Sequence, residues 1–390
     1  MPSRSNSIEY GGCGSSATNS MEYSRGFAAP FAWTSAGIDM TFLEFGIGAV
    51  ERGLVPDSIT RRAIRNLCVE RLKDLSYDRE DRVVLAQARF IESMRSSPIA
   101  PVPAKANEQH YELPPEFFVE VLGPHRKYSC CLWPDSPALL RDAEENALRA
   151  TCEHAQIEDG QQILELGCGW GSLSLWMARR YPNSHVTAVS NSNPQRIYIE
   201  AQAKLAGLSN LNVITADMNS FAPPDTDGQP VLFDRVVSVE MFEHMRNYQL
   251  LLSRIASWLK PNGKLFVHIF CHRTLLYPFE TEGAANWMGR YFFTGGIMPS
   301  ENILRNFSDD LQVVRQWTWN GLHYQRTADA WLKQLDARRS VVLPILNDVY
   351  GPAEAKRWLH RWRMFFMAVS ELFGYGNGEE WMVCHSLLQR

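Results

Sequence analysis

Ile163-Leu164-Glu165-Leu166-Gly167-Cys168-Gly169-Trp170-Gly171-Ser172 reads as a buried strand that runs into a glycine turn and then opens a helix. Glycine accepts positive φ and lets the backbone approach a ligand closely, so three glycines at this junction mark a tight turn able to hold one. A dinucleotide fingerprint, G-x-G-x-x-G, would put its third glycine two residues past Trp170; here it falls one residue early. A pyrophosphate cradle is therefore a poor fit. Four further apolar runs follow, separated by helical segments: His185-Val186-Thr187-Ala188-Val189, Asn212-Val213-Ile214-Thr215, Arg235-Val236-Val237-Ser238-Val239 and Lys264-Leu265-Phe266-Val267-His268. This alternation predicts a doubly wound, Rossmann-like α/β sheet, mostly parallel. Leu311 to Trp319 can form another strand, and Trp381 to Leu387 reads as an antiparallel closing strand.

Working outward, residues 1–37 are rich in Ser, Gly and Asn without periodicity, and read as a flexible tail. Residues 38–104 read as an N-terminal helical segment. Ser58 can cap a helix carrying Ala63, Ile64, Leu67, Cys68 and Leu72, and a second helix is expected from Asp81 to Met94. Ser97-Pro98-Ile99-Ala100-Pro101-Val102-Pro103 then breaks regular structure. Residues 105–272 form the expected sheet core, in which Ser136-Pro137 opens a helix to about His154. Residues 273–390 read as a helical and aromatic cap that also supplies the closing strands. Its helices are expected around Ala328–Tyr350 and Ala353–Phe373.

The composition narrows the function classes. Hydrophobic residues make up 45% of the 390 and the formal net charge is -4, which excludes global disorder and argues against a nucleic-acid partner. The 8 Cys form no C-x-x-C, so no metal site is expected, and free thiols suit a reducing compartment. No apolar run approaches a membrane span and no secretory signal is visible, so a cytoplasmic protein is the expectation. The 12 Trp, 13 Tyr and 19 Phe exceed what a core requires unless some line a site.

Set among its β/α units, Gly167-Cys168-Gly169-Trp170-Gly171 looks like the glycine loop of S-adenosylmethionine-dependent methyltransferases. Glu240-Met241-Phe242-Glu243-His244-Met245 after the fourth strand resembles the coclaurine N-methyltransferase group, which is related to the cyclopropane fatty acid synthases. Tyr111-Glu112-Leu113-Pro114, Tyr128-Ser129-Cys130-Cys131, Arg290 to Gly296 and Phe373 to Trp381 look alike too, so that the resemblance spans roughly Gly53 to the C-terminus. It implies S-adenosylmethionine as cofactor, S-adenosylhomocysteine as product and a small-molecule amine as acceptor; a homodimer is compatible with it. Tyr128 and Ser129 would then touch the methionine end, with Gly167 and Gly169 beneath it. Asn191 and Gln195 would hold the ribose. Asn191 stands where such enzymes usually carry an acid, and its amide can still serve a diol. Asp217 would accept from the adenine amino group, with Met218 on the ring. The resemblance also implies that Glu240, Glu243 and His244 face the substrate amine. In the cyclopropane synthases a bicarbonate ion serves as base, held by residues resembling Cys130, Glu243, His268 and Tyr324.

Glu240 and Glu243 are three apart, and Glu240 and His244 four apart, which on a helical turn puts them on one face. Two carboxylates and an imidazole held close perturb one another's proton affinity, and a parallel strand's carboxyl end is where such sheets bind ligands. A surface cluster at a helix start is the bland alternative. Methyl transfer needs a neutral amine, and an alkylammonium two to three pKa units above ambient costs about 3–4 kcal/mol to deprotonate. General-base catalysis supplies ~10²–10⁴-fold, a similar size. His244 oriented by Glu243 is the candidate base. Glu240 is left to bind the ammonium or the cofactor's amino group. Tyr291, Phe292, Tyr324, Phe366, Phe373 and Tyr375 are the candidate pocket rings, through stacking and cation–π contact. Helically spaced rings such as Phe366 are individually more often core. Two rival readings remain: methylene transfer to an unsaturated phospholipid, which would bring the protein to a membrane surface, and a cofactor-binding regulatory protein without turnover.

Overall fold

The computed structural model describes residues 40–75, 80–102, 113–136, 138–226 and 229–390. The expected tail over residues 1–37 lies outside them, as do Tyr111, Glu112 and Pro137. Seven strands form one sheet: β1 Gln162–Leu166, β2 His185–Ser190, β3 Leu211–Thr215, β4 Phe233–Val239, β5 Leu259–His272, β6 Gln312–Trp319 and β7 Trp381–Gln389. Their order is β6-β7-β5-β4-β1-β2-β3. From β5 to β3 all pairs are parallel. β7 lies antiparallel between β5 and β6. Reversal of order around β1 and β4 leaves a crevice at the carboxyl ends of these two strands, the place where doubly wound sheets bind ligands.

Among the described residues, the helices of seven residues or more are α1 Met40–Glu51, α2 Asp57–Leu75, α3 Glu80–Arg95, α4 Pro115–Val121, α5 Leu140–His154, α6 Ser172–Arg180, α7 Asn193–Leu205, α8 Tyr248–Trp258, α9 Leu322–Ala337, α10 Arg339–Tyr350 and α11 Ala355–Phe373. Strands buried on both faces need apolar residues at successive positions, and here successive positions feed two different cores. Leu164, Leu166, Val236, Leu265 and Val267 pack with α8 (Leu251, Leu252, Ile255) and with Phe90 and Met94 of α3. Ile163, Val237 and Phe266 pack with α5 (Leu148, Cys152) and α6 (Leu173, Met177).

Three local expectations are corrected. The helix read from Ser136-Pro137 starts at Leu140, where the Asp142 carboxylate accepts from the Leu139 N–H at 3.0 Å. The helix read with Ser58 as cap starts at Asp57, so that Ser58 lies inside its first turn. The span read as one helix from Ala328 to Tyr350 is two, α9 and α10, meeting at Arg338, which leaves the helical region of φ/ψ.

The N-terminal helices are tied to the cap. α11 packs against α9, α10, α2 and α1. Arg361 of α11 makes a two-point ion pair with Glu51 of α1, Nε to Oε1 at 3.0 Å and Nη2 to Oε2 at 3.1 Å, both side chains buried. Arg61 of α2 reaches Glu371 at 2.8 Å. Such forked contacts fix orientation as well as adding energy.

Candidate active site

A cavity opens at the carboxyl ends of β1, β2 and β4. It is lined by Tyr128, Ser129, Gly167, Gly169, Asn191, Gln195, Asp217 and Met218, and so brings together all eight residues expected around the cofactor. Gly167 has φ +80° and Gly169 +51°. A Cβ on Gly167 would stand 2.7 Å from the Met241 side chain, whereas one on Gly169 would meet nothing within 4 Å. The first glycine is required by packing and the second keeps cavity wall free.

Several cavity-lining groups lack a protein partner among the described residues. Gln195 Oε1 accepts from Ser190 Oγ at 2.6 Å, which fixes its amide and leaves the buried Nε2 without a partner among the described residues. Trp170 Nε1 and Ser172 Oγ are buried and unpartnered in the same sense, and both residues line the cavity. Buried donors are normally satisfied, so three of them around one cavity fit a polar ligand such as an amino-acid-bearing nucleoside. Asp217 uses its carboxylate on the Asn219 N–H at 2.8 Å and its edge still lines the cavity.

Glu240 and His244 line the same cavity. The chain turns sharply there: Glu240 follows β4 at φ +48°, a left-handed conformation that costs about 1–2 kcal/mol in a residue with a Cβ. Its N–H is held by His268 O at 2.8 Å. Only Phe242–His244 is helical, as one 3₁₀ turn, so the three residues do not share one helical face as their spacing suggested. Glu240 Oε1 accepts from the Cys130 N–H at 2.9 Å and lies 3.2 Å from His268 Nε2, while Tyr324 OH donates to Oε2 at 2.6 Å. Burial pushes the Glu240 carboxyl above its usual range, opposed by the nearby Lys127 ammonium and by the Tyr324 bond.

Glu243 turns away. Its side chain is 0% exposed, Oε1 accepts from the Phe270 N–H at 2.7 Å, and Oε2 has no partner among the described residues. Burial foremost, then the neighbouring Glu240 carboxyl, push its carboxyl well above the usual range, which favours the neutral form. It does not orient His244 as the spacing suggested, because neither oxygen engages that ring. His244 instead stacks on Phe293, ring planes 8° apart and centroids 5.7 Å apart. Burial lowers its pKa to about 4, against the opposing pull of Glu240, so the ring is neutral near pH 7. Cys130, His268 and Tyr324, grouped by resemblance around a bicarbonate, converge on Glu240.

The expected pocket rings divide. Phe373 stacks on Tyr324, centroids 4.5 Å apart, behind the Glu240 carboxylate. Phe292 and Phe366 belong to a buried cluster: Phe292 stacks on Phe365 at 4.2 Å and Phe366 packs on Trp331 and Trp362. Tyr291 lies under the Arg361 guanidinium at 4.3 Å, and Tyr375 packs edge-on against Trp381. None of the six lines the cofactor cavity.

Two groups escaped the sequence reading. Lys127 is 3% exposed, and its Nζ donates to Ser129 Oγ and to Cys130 O, shaping the loop that delivers the Cys130 N–H. Nothing in a single sequence marks a lysine as buried. Glu165 lines the cavity, bonded to Ser174 Oγ, and burial raises its carboxyl to about 7. An acid inside an apolar strand was the signal available.

The profile described as mycolic acid cyclopropane synthetase matches residues 102–379. The chain belongs to this family of S-adenosylmethionine-dependent methyltransferases, and is an enzyme of the N-methyltransferase class. Among its relatives, (S)-coclaurine N-methyltransferase of Thalictrum flavum subsp. glaucum is 38% identical over 345 residues, covering 87% of this chain and 94% of the relative. (S)-Tetrahydroprotoberberine N-methyltransferase of Eschscholzia californica is 34% identical, covering 88% and 97%. The crystal structure of a coclaurine N-methyltransferase bound to N-methylheliamine and S-adenosylhomocysteine superposes with a TM-score of 0.85 at 36% identity, over 90% of this chain and 100% of that one. No described helix is long and apolar enough to cross a membrane, and no group of metal-ligating side chains occurs among the described residues.

Proposed function

We propose that the protein methylates the nitrogen of a small, flat, tetrahydroisoquinoline-like amine, with Glu240 and His244 handling the amine proton. The observation that carries this reading is the setting of Glu240. The Cys130 N–H, His268 and Tyr324 OH already surround a protein carboxylate, so the anion is built into the chain and no bicarbonate is needed as base. Relatives named for isoquinoline-type amines support the acceptor class.

Tyr128 and Ser129 would hold the methionine end of the cofactor, Asn191 and Gln195 the ribose, and Asp217 and Met218 the adenine, all from the cavity wall. Bound there, the cofactor supplies an electrophilic sulfonium methyl. Glu240 receives the ammonium form of the amine. Removed from water, the carboxylate gains proton affinity and the ammonium loses it, so the pair shifts toward neutral acid and neutral amine. His244, neutral and fixed by Phe293, offers a second acceptor beside the nitrogen lone pair. Alignment of that lone pair with the methyl contributes alongside proton removal.

The test mixes methyl-labelled cofactor with the protein and a panel of tetrahydroisoquinolines, beside unsaturated phospholipid vesicles with bicarbonate. Label is expected in the amines. Label in the lipid alone would reverse the assignment, and cofactor binding without any transfer would favour a regulatory protein.

A further inference from the structure

Three histidines lie end to end between Glu240 and the surface. His268 on β5 and His385 on β7 are register partners, and Trp317 on β6 is the partner of His385. Directly opposed residues share a sheet face, here the face covered by α5. His268 Nε2 is 3.2 Å from Glu240 Oε1, His268 Nδ1 is 2.9 Å from His385 Nε2, and His385 Nδ1 is 2.8 Å from His154 Nδ1. Both inner rings are 0% exposed. His154 closes α5, is half-buried, and stacks on Trp317 with centroids 4.0 Å apart and planes 6° apart. Phe266 and Trp319 wall in His385. Mutual satisfaction of buried polar groups would explain a pair of rings. It does not explain a chain that begins on a carboxylate in the site and ends at solvent.

We infer that His268, His385 and His154 conduct a proton between Glu240 and bulk water, discharging Glu240 when a cationic amine enters the cavity. The inference rests on the N-methyltransferase reading above. Burial favours the acid form of Glu240 while the cavity is empty, and an incoming cation favours the carboxylate. Glu240 then gives its proton to His268 Nε2 as His268 passes the Nδ1 proton to His385 Nε2. His385 passes its Nδ1 proton to His154 Nδ1, and His154 releases one from Nε2 to water. For each bond to hydrogen that breaks another forms, and no ring is left charged. Each ring ends as the other tautomer. Once product has left, a proton entering at His154 runs the chain in reverse while Glu240 releases its own to cavity water, which restores the start. Lys127 faces the inner end beside Glu240, and Arg315 faces His154. Burial foremost disfavours a standing imidazolium, followed by Lys127 at His268, by the two neighbouring imidazoles at His385 and by Arg315 at His154, leaving His268 and His385 well below the usual imidazole range and His154 at about 4. The proton therefore passes through neutral rings in concert.

The test uses a cation with no proton to give, N,N-dimethyl-1,2,3,4-tetrahydroisoquinolinium, mixed rapidly with the protein–S-adenosylhomocysteine complex in weak buffer with a pH indicator. Wild type is expected to release a proton as fast as the cation binds. His385→Gln keeps hydrogen-bonding capacity but cannot relay, and it is expected to slow release by about tenfold or more with cation affinity retained. His154→Ala, at the half-exposed end, is expected to do the same and covers the case in which the buried variant does not fold. Release equally fast in both variants, or binding without release, overturns the conduit. A cation that fails to bind counts against the amine reading instead. The conduit is then decided by ¹⁵N spectra of histidine-labelled, ligand-free protein: coupling across both N–H···N bonds is expected, and absence of either overturns it.

Discussion

Tyr324 donates its hydroxyl to Glu240 Oε2 at 2.6 Å, joining the start of α9 to the end of β4 across 84 residues of sequence. The bond fixes the carboxylate in the left-handed turn and favours its charged form. Hydrogen bonds to charged groups contribute roughly 1.5–3 kcal/mol. Tyr324→Phe is therefore expected to lower kcat/KM for the amine by about 10- to 100-fold. Cofactor affinity, measured by calorimetry, should stay near wild type. Loss of cofactor affinity instead would mean that Tyr324 acts on the other side of the site.

Gly167 and Gly169 both hold positive φ, yet their surroundings differ. Gly167→Ala drives a methyl into Met241 and should lower the melting temperature as well as cofactor affinity. Gly169→Ala meets open cavity, so it should weaken cofactor binding with a smaller thermal cost, limited to about 1–2 kcal/mol of backbone strain. Calorimetric titration beside thermal denaturation separates the two. Equal thermal losses would show that the Gly169 position is packed rather than open.

Phe292 matches the expected aromatic pocket by position, but it is fully buried and stacked on Phe365. Phe292→Ala should cost about 3–5 kcal/mol in urea unfolding, as large-to-small changes of buried rings do. A stable variant with a raised KM for the amine would return Phe292 to the pocket.

Burial brings His244 from 6.5 to about 4. Between those values the unfolded chain binds a proton that the folded chain does not, so stability rises with pH across the window and is lost as pH falls. His244→Gln removes this sensitivity. The stability lost by wild type on going from about pH 7.5 to about pH 5 should exceed that lost by the variant by on the order of 2 kcal/mol. Identical losses would mean that the ring is solvated.

Period and punctuation made much of this protein legible. The five parallel strands, the glycine loop and the closing strand declared themselves through apolar runs and turn residues, whereas the eight expected cofactor positions came from the family resemblance, Tyr128 and Ser129 among them from a loop that precedes β1. What failed did so for physical reasons. Spacing of Glu240, Glu243 and His244 implies a helical face only if the backbone is helical, and the positive φ at Glu240 breaks it. Helical spacing of the cap aromatics does not say which side meets a ligand and which meets another helix; Phe292 and Phe366 met other rings. The partners of Glu240 come from the loop before α5, from β5 and from α9, and the link from His268 to His154 crosses 114 residues of sequence through His385 on β7. Contacts of that separation are set by sheet order, which one sequence does not display.

The most direct measurement is a single turnover of Glu240→Gln, with cofactor bound beforehand and 1,2,3,4-tetrahydroisoquinoline as acceptor, with and without added bicarbonate. Glutamine keeps the shape and an acceptor oxygen but cannot take the proton. Methyl transfer is expected to fall by about a hundredfold or more, with cofactor affinity intact and no recovery on adding bicarbonate. Transfer at the wild-type rate, or recovery with bicarbonate, would contradict the assignment of Glu240 as the built-in anion of the site.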